Sequence, residues 1–210
     1  MSVGAIREPF RSGTPQVVEL LLARGADLSA RSFTDDFPAL HTAVIFSNTG
    51  LSPPEVECRA RMVSLLLSAG ADVHAKVGYG IPGKTVIAAF SEGGCDRDVL
   101  KLLLRAGASL DLPKDPVSEI RTRISKASES ADRISALREC AELMSSVRDA
   151  GGWQDYVLAP RRALLRLRSL RARGRAQPTA ATPGYAKRLL DPNLPNELLG
   201  TIFTYWREAR

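Results

Sequence analysis

Val17-Val18-Glu19-Leu20-Leu21-Leu22-Ala23-Arg24-Gly25-Ala26-Asp27-Leu28 is the stretch on which the reading of this chain turns, because it is spelled twice more. Met62-Val63-Ser64-Leu65-Leu66-Leu67-Ser68-Ala69-Gly70-Ala71-Asp72-Val73 and Val99-Leu100-Lys101-Leu102-Leu103-Leu104-Arg105-Ala106-Gly107-Ala108-Ser109-Leu110 keep the same order. Each is an apolar run that stops at a glycine. The leucines fall on more than one side of a helix, so neighbours must cover each run on more than one side. The glycine adopts a left-handed conformation without a Cβ clash and so closes the helix. Asp27 and Asp72 then suit a reversal, their short carboxylates accepting backbone N–H bonds from the turn. The apolar residue that follows, Leu28, Val73 or Leu110, can fold back beneath it.

A unit that recurs without being able to bury its own apolar face implies a stack, in which each copy covers the next. In this setting V-V-x-L-L-L-x-x-G-A-D-hydrophobic resembles the second helix and outgoing turn of an ankyrin repeat. Phe37-Pro38-Ala39-Leu40-His41-Thr42-Ala43 is similar to that family's T-P-L-H-x-A box, where proline opens the first helix and histidine braces neighbouring turns. Thr85-Val86-Ile87-Ala88-Ala89 occupies the equivalent place one repeat later, without the proline or the histidine. The resemblance implies an all-α fold, an ankyrin-repeat solenoid of about three and a half repeats over residues 1–152.

The spacing shows where the pattern is edited. Gly25 to Gly70 is 45 residues and Gly70 to Gly107 is 37. Against a period of about 33, the excess is roughly 12 and 4 residues. The larger insertion falls at 47–57, rich in Ser, Pro and Gly, and is expected as a loop between the two helices of its repeat. The smaller falls at 78–84, in the finger between repeats. A fourth, degenerate unit is expected from Pro116 to Gly152, since Leu137, Cys140, Ala141, Leu143 and Met144 recur at helical spacing before Gly151-Gly152. Its polar first half, Ser118 to Asp132, fits a terminal unit that meets water. Before Val17 only Val3, Ala5 and Ile6 could supply a first helix, so the first repeat is partial.

Beyond Gly152 the character changes. Residues 153–176 hold seven arginines against one acid, Asp155, so this segment alone carries the +6 of the whole chain. Leu164, Leu167 and Leu170, with Leu165 beside them, predict a basic amphipathic helix whose apolar stripe docks on the last repeat while arginines face water; the alternatives are attraction of the arginines to an acidic protein surface, and nucleic acid or a nuclear-import signal. A linker is expected over 177–193. Residues 194–210 then predict one more amphipathic helix, with Pro195 in its first turn and Leu198, Leu199, Ile202, Phe203 and Trp206 on one side. L-P-x-E-L-L-x-x-I-F-x-Y from Leu194 resembles the opening helix of an F-box. That likeness implies recruitment of a Cullin-type ubiquitin ligase through a Skp-type adaptor, with Leu194, Pro195, Leu198, Leu199, Ile202, Phe203 and Trp206 as the adaptor-binding residues. The alternative is that the helix only seals the end of the stack.

Other chemistries find little support. Gly78-Tyr79-Gly80-Ile81-Pro82-Gly83-Lys84-Thr85 satisfies G-x-x-x-x-G-K-[ST], but a phosphate cradle needs a buried strand before it, and Ala71 to Val77 leaves a helix instead. The match is read as coincidence. His41 is expected as a partly buried hydrogen-bonding residue and His74 as a surface residue. Cys58, Cys95 and Cys140 are odd in number, far apart and distant from either histidine, and are read as reduced packing residues. No metal, cofactor or catalytic residue is assigned. No apolar run approaches the eighteen residues of a membrane span, no secretory signal opens the chain, and an intracellular, cytoplasmic address is expected, with the nucleus as the alternative. Nucleic acid is disfavoured because no aromatics interleave with the arginines to stack on bases. The expected function is protein binding on the concave surface of the stack, where the resemblance places Thr34, Asp35, Asp36, Tyr79 and Ile81.

Overall fold

The computed structural model describes residues 15–31, 37–45, 53–77, 83–94, 96–126, 130–191 and 193–208. Among these the fold is all-α, with one isolated antiparallel bridge pairing Arg31 and Pro38. The helices are α1 (Pro15–Ala23), α2 (Ala39–Ile45), α3 (Pro53–Ser68), α4 (Val86–Gly93), α5 (Arg97–Arg105), α6 (Pro116–Ser125), α7 (Ala131–Asp149), α8 (Trp153–Ala172), α9 (Gly184–Leu189) and α10 (Asn196–Glu208). They fall into two compact units, residues 1–148 and 149–210.

Within the first unit α2, α4 and α6 pack in succession, as do α1, α3 and α5, and α2 also packs against α3. The short helices of the first row bury Leu40, Val44, Val86, Ile87, Phe90, Val117 and Ile120, and with them the polar side chains of His41, Thr42, Ser91 and Arg123. The second row contributes Met62, Val63, Leu66, Val99, Leu100, Leu103 and Leu104. The second and third leucine runs are thus covered on more than one side, whereas in the first run only Val18 is buried, with Val17 and Leu20 exposed and Leu21 and Leu22 half-buried.

The three leucine runs end alike. At Gly25, Gly70 and Gly107 φ is +73°, +92° and +94°. The following alanine donates to the carbonyl five residues back, Ala26 to Leu21 at 3.0 Å, Ala71 to Leu66 at 2.9 Å and Ala108 to Leu103 at 3.0 Å. The glycine itself donates to the carbonyl three back, at 3.0, 3.1 and 3.1 Å. This double bond satisfies carbonyls that the helix end would otherwise orphan. The turn beyond repeats too: Asp27 Oδ1 accepts from Ser29 N and Asp72 Oδ1 from His74 N, both at 2.8 Å, and Ser109 Oγ accepts from Asp111 N at 3.1 Å.

Helix starts are fixed by side-chain caps. Thr85 Oγ1 accepts from Ala88 N, Asp96 from the N–H groups of Asp98 and Val99, and Asp115 from those of Val117 and Ser118. Asp115 also accepts from Arg148 at 2.8 Å, tying α7 to the start of α6. Its hydrogen bond from Ser118 holds its carboxyl below the ordinary carboxylate range, and Arg148 adds to this.

Three expectations need correction. The insertion at 47–57 is not all loop, because α3 begins at Pro53; proline is at home in the first turn, where its missing N–H costs nothing. The 177–193 stretch is not only a linker, since α9 lies within it, and Arg171 Nη1 donates to the carbonyl of Lys187 on that helix at 3.0 Å. The leucine stripe of α8 does not face inward as a unit. Leu165, Leu167 and Leu170 are exposed, while Arg168 is buried and donates through Nη2 to Leu194 O at 2.7 Å. Steps of three fall about 60° short of a full turn each time, so leucines spaced by three sweep across the helix instead of lining one face.

Gly94 marks a close approach that no substitution can share. A Cβ there would lie 2.4 to 2.9 Å from atoms of the Phe90 ring, which is fully buried and has nowhere to withdraw. Its φ of −75° suits any residue, so the obstacle is the ring alone. Gly94→Ala is expected to lower stability by about 2 kcal/mol by urea unfolding, in the range of core overpacking. Combined with Phe90→Leu the two changes should cost less than their sum; strict additivity would refute the collision.

Candidate partner-binding surfaces

The two segments expected as fingers are fixed at the described residues that bound them. Arg31 and Pro38 form the antiparallel bridge at one base. At the other, Val77 N donates to Lys84 O and Gly83 N to Val77 O, each at 3.0 Å. Arg31 Nη2 donates to the carbonyl of Lys76 at 3.1 Å, linking one finger to the next. Thr34, Asp35, Asp36, Tyr79 and Ile81 fall between these bases and lie outside the described residues.

His41 sits under the fingers, fully buried where partial burial was expected. Its Nε2 lies 3.3 Å from Lys84 O, and a carbonyl only accepts, so Nε2 carries the proton and donates. Nδ1 is then the bare nitrogen, buried and without a hydrogen-bond partner. Burial pushes the imidazole down to about 4. The charges of Arg31 and Lys84 push the same way, while the Lys84 carbonyl and Asp72 oppose. His41 is thus a neutral brace between α2 and the base of the next finger, with its ring stacked on Phe37 at 6.5 Å.

Residues of the phosphate-loop match that are described serve the fold. The Lys84 ammonium pairs with Glu92, Thr85 caps α4, and Gly83 turns with φ +82°. Residues 78–82 lie outside the described residues. Among the described residues no group of three His, Cys, Asp or Glu side chains could hold a metal ion, and no helix is long and apolar enough to cross a membrane. Neither Cys58 nor the buried Cys140 is in a disulfide, and His74 is exposed; Cys95 lies outside the described residues.

The C-terminal helix turns part of its apolar face into its own unit. Leu199 and Phe203 are buried, and the Arg161 guanidinium of α8 lies 4.9 Å from the Phe203 ring centre. Ile202 and Leu194 are half-buried. Leu198 is 53% exposed and Pro195, just ahead of the helix, is exposed as well. The Trp206 side chain is outside the described residues. The six described positions of the seven expected to form one adaptor-binding face are therefore divided between the inside and the outside of this unit.

Buried arginines are what the sequence reading missed. Arg123 is buried and donates from Nη1 to Ser91 O at 3.1 Å and Gly94 O at 2.9 Å, and from Nη2 to Gly93 O at 3.4 Å. It closes the C-terminal end of α4 from the neighbouring α6. Arg59 is also buried, and its charge acts on Asp96, whose carboxyl is raised by burial. A signal existed for Arg123: it lies three residues beyond Ile120, on the shoulder of the buried Val117–Ile120 stripe.

A scan against protein-family models returns no match, and a search of curated proteins finds none with significant similarity.

Proposed function

We propose that residues 1–152 form an ankyrin-type repeat stack that holds a partner protein through its finger tips and the helix row beneath them, and that the chain is a binding protein without catalysis. The observation that carries this is the threefold recurrence of one closure: a left-handed glycine, the same pair of hydrogen bonds, and the same side-chain-stabilised turn, each ending a helix of one row. Fingers anchored at Arg31–Pro38 and Val77–Lys84 would hold Thr34, Asp35, Asp36, Tyr79 and Ile81 ready, and a preorganised surface lowers the ordering cost of association.

The test is quantitative affinity purification from the native cell with the intact chain, an Asp35→Lys/Tyr79→Ala variant at the tips, and an Arg105→Glu control at the exposed end of α5. Proteins lost with the tip variant and kept with the control are the expected result. If both variants retain the same proteins, the tips do not bind them. The adaptor-recruiting role of α10 is the lesser reading because Leu199 and Phe203 are already covered. A Skp-type adaptor captured by the intact chain, and lost on truncation at Asp191, would reverse that preference.

A further inference from the structure

We infer that the outward side of α8 is a second docking surface, built for an acidic, leucine-bearing segment of another protein. The second unit, 149–210, has eleven basic and five acidic side chains, whereas residues 1–148 have eighteen of each, so the +6 of the chain resides wholly in the smaller unit. Arg162 and Arg166 of α8 and Arg173, the residue that caps its C-terminal end, lie within about 40° of one another around the helix axis and span about 16 Å along it. All three are exposed, Arg162 pairing with Asp155 on the same helix. Arg168 and Arg171 are committed to the carbonyls of Leu194 and Lys187 and do not belong to this row.

Exposed leucines flank the row on both sides. Leu158 and Leu165 stand on one side and Leu170 on the other, each between 37% and 44% exposed, while Leu167 lies about 120° round the helix from the centre of the row. Three half-open leucines beside an arginine row carry more apolar surface than isolated surface residues would. This order, charge in the centre and apolar rims, selects among polyanions. A helix that lies on a bilayer gathers its apolar residues into one central face with basic flanks, the reverse of what α8 presents. A nucleic-acid backbone would satisfy the arginines but leave the leucines wet, and the row itself offers no aromatic platform. A protein segment with carboxylates along its middle and leucines at its edges meets both requirements, and the charge complementarity would speed and orient its approach. This surface is on a different unit from the finger tips, so either can fail without the other.

The experiment is fluorescence anisotropy on the intact chain with three labelled probes: a peptide of about sixteen residues, long enough to match the row, with glutamates interrupted by leucine at helical spacing; a polyglutamate of equal length; and an oligothymidylate. The leucine-bearing peptide should bind at least about tenfold tighter than polyglutamate, since two or three buried leucines contribute that much. Arg166→Glu/Arg173→Glu should weaken it at least about tenfold, and Leu158→Ser/Leu165→Ser at least about threefold. Should the charge reversal disturb folding by circular dichroism, Arg166→Gln/Arg173→Gln takes its place, with a smaller loss in the same direction. Absence of peptide binding, equal binding of polyglutamate, tighter binding of oligothymidylate, or indifference to the arginine variants would each overturn the assignment.

Discussion

Replacing Arg123 by methionine is expected to lower the unfolding free energy by about 3 kcal/mol, more than a surface arginine could cost. The guanidinium donates to three carbonyls at the end of α4, those of Ser91, Gly93 and Gly94. The last carbonyls of a helix have no partner within it, and their dipoles leave partial negative charge there. A buried cation at that point satisfies the carbonyls and is itself stabilised by the dipole, which helps to offset the cost of desolvating the arginine. Methionine fills much of the volume but donates nothing, so buried acceptors lose their donors while packing is nearly kept. Lysine restores the charge but not the planar fork, and should recover less than half of the loss. Urea unfolding of the three proteins decides this. A methionine variant within 1 kcal/mol of wild type, about the worth of one ordinary hydrogen bond, would show that water reaches those carbonyls.

How far the chain was legible follows from where the information is local. The leucine runs, their closing glycines and the aspartates beyond act within a dozen residues, so Leu20 to Leu28 and its two copies spell helix, stop and turn by themselves. Thr85, with Pro38, marks a helix start for the same reason. The buried arginines are different. Arg123 and Arg168 read as solvated charges because their partners lie on other helices or on distant backbone, and only packing brings carbonyls to them. The same non-local pairing misled the reading of α8, where Arg168 takes the inward place and Leu167 gives it up. In the C-terminal helix, local pattern correctly marked an amphipathic element over Leu198 to Phe203 but not what would cover it. Arg161 above Phe203 was invisible to a reading that sorted charge and apolar residues to opposite faces.

Acid should loosen the first unit through His41. The imidazole is neutral in the folded protein, held down to about 4 by burial against an ordinary value of 6.5. Between those values the unfolded chain binds a proton that the folded chain refuses, so stability rises with pH across this window and is lost as pH falls from 6.5 toward 4. The contribution amounts to about 2 kcal/mol at pH 5 and about 3 kcal/mol once pH lies below 4. The geometry gives the reason. Nε2 already donates to Lys84 O, so an added proton must sit on Nδ1, which is buried with no acceptor and feels the charges of Arg31 and Lys84. Asp96 works in the opposite sense, because burial raises its carboxyl and the folded state holds that proton more readily. Its effect is common to wild type and to a His41→Gln variant, so it cancels in their difference. Glutamine can still donate to Lys84 O but cannot titrate. His41→Gln should be less stable at pH 7.5, by about 1–2 kcal/mol for imperfect fit, and should lose less on acidification, so that the two stability curves converge by pH 5. Curves that stay parallel from pH 7.5 to 5 would mean that His41 takes up its proton as easily folded as unfolded, and that the bare Nδ1 has access to water.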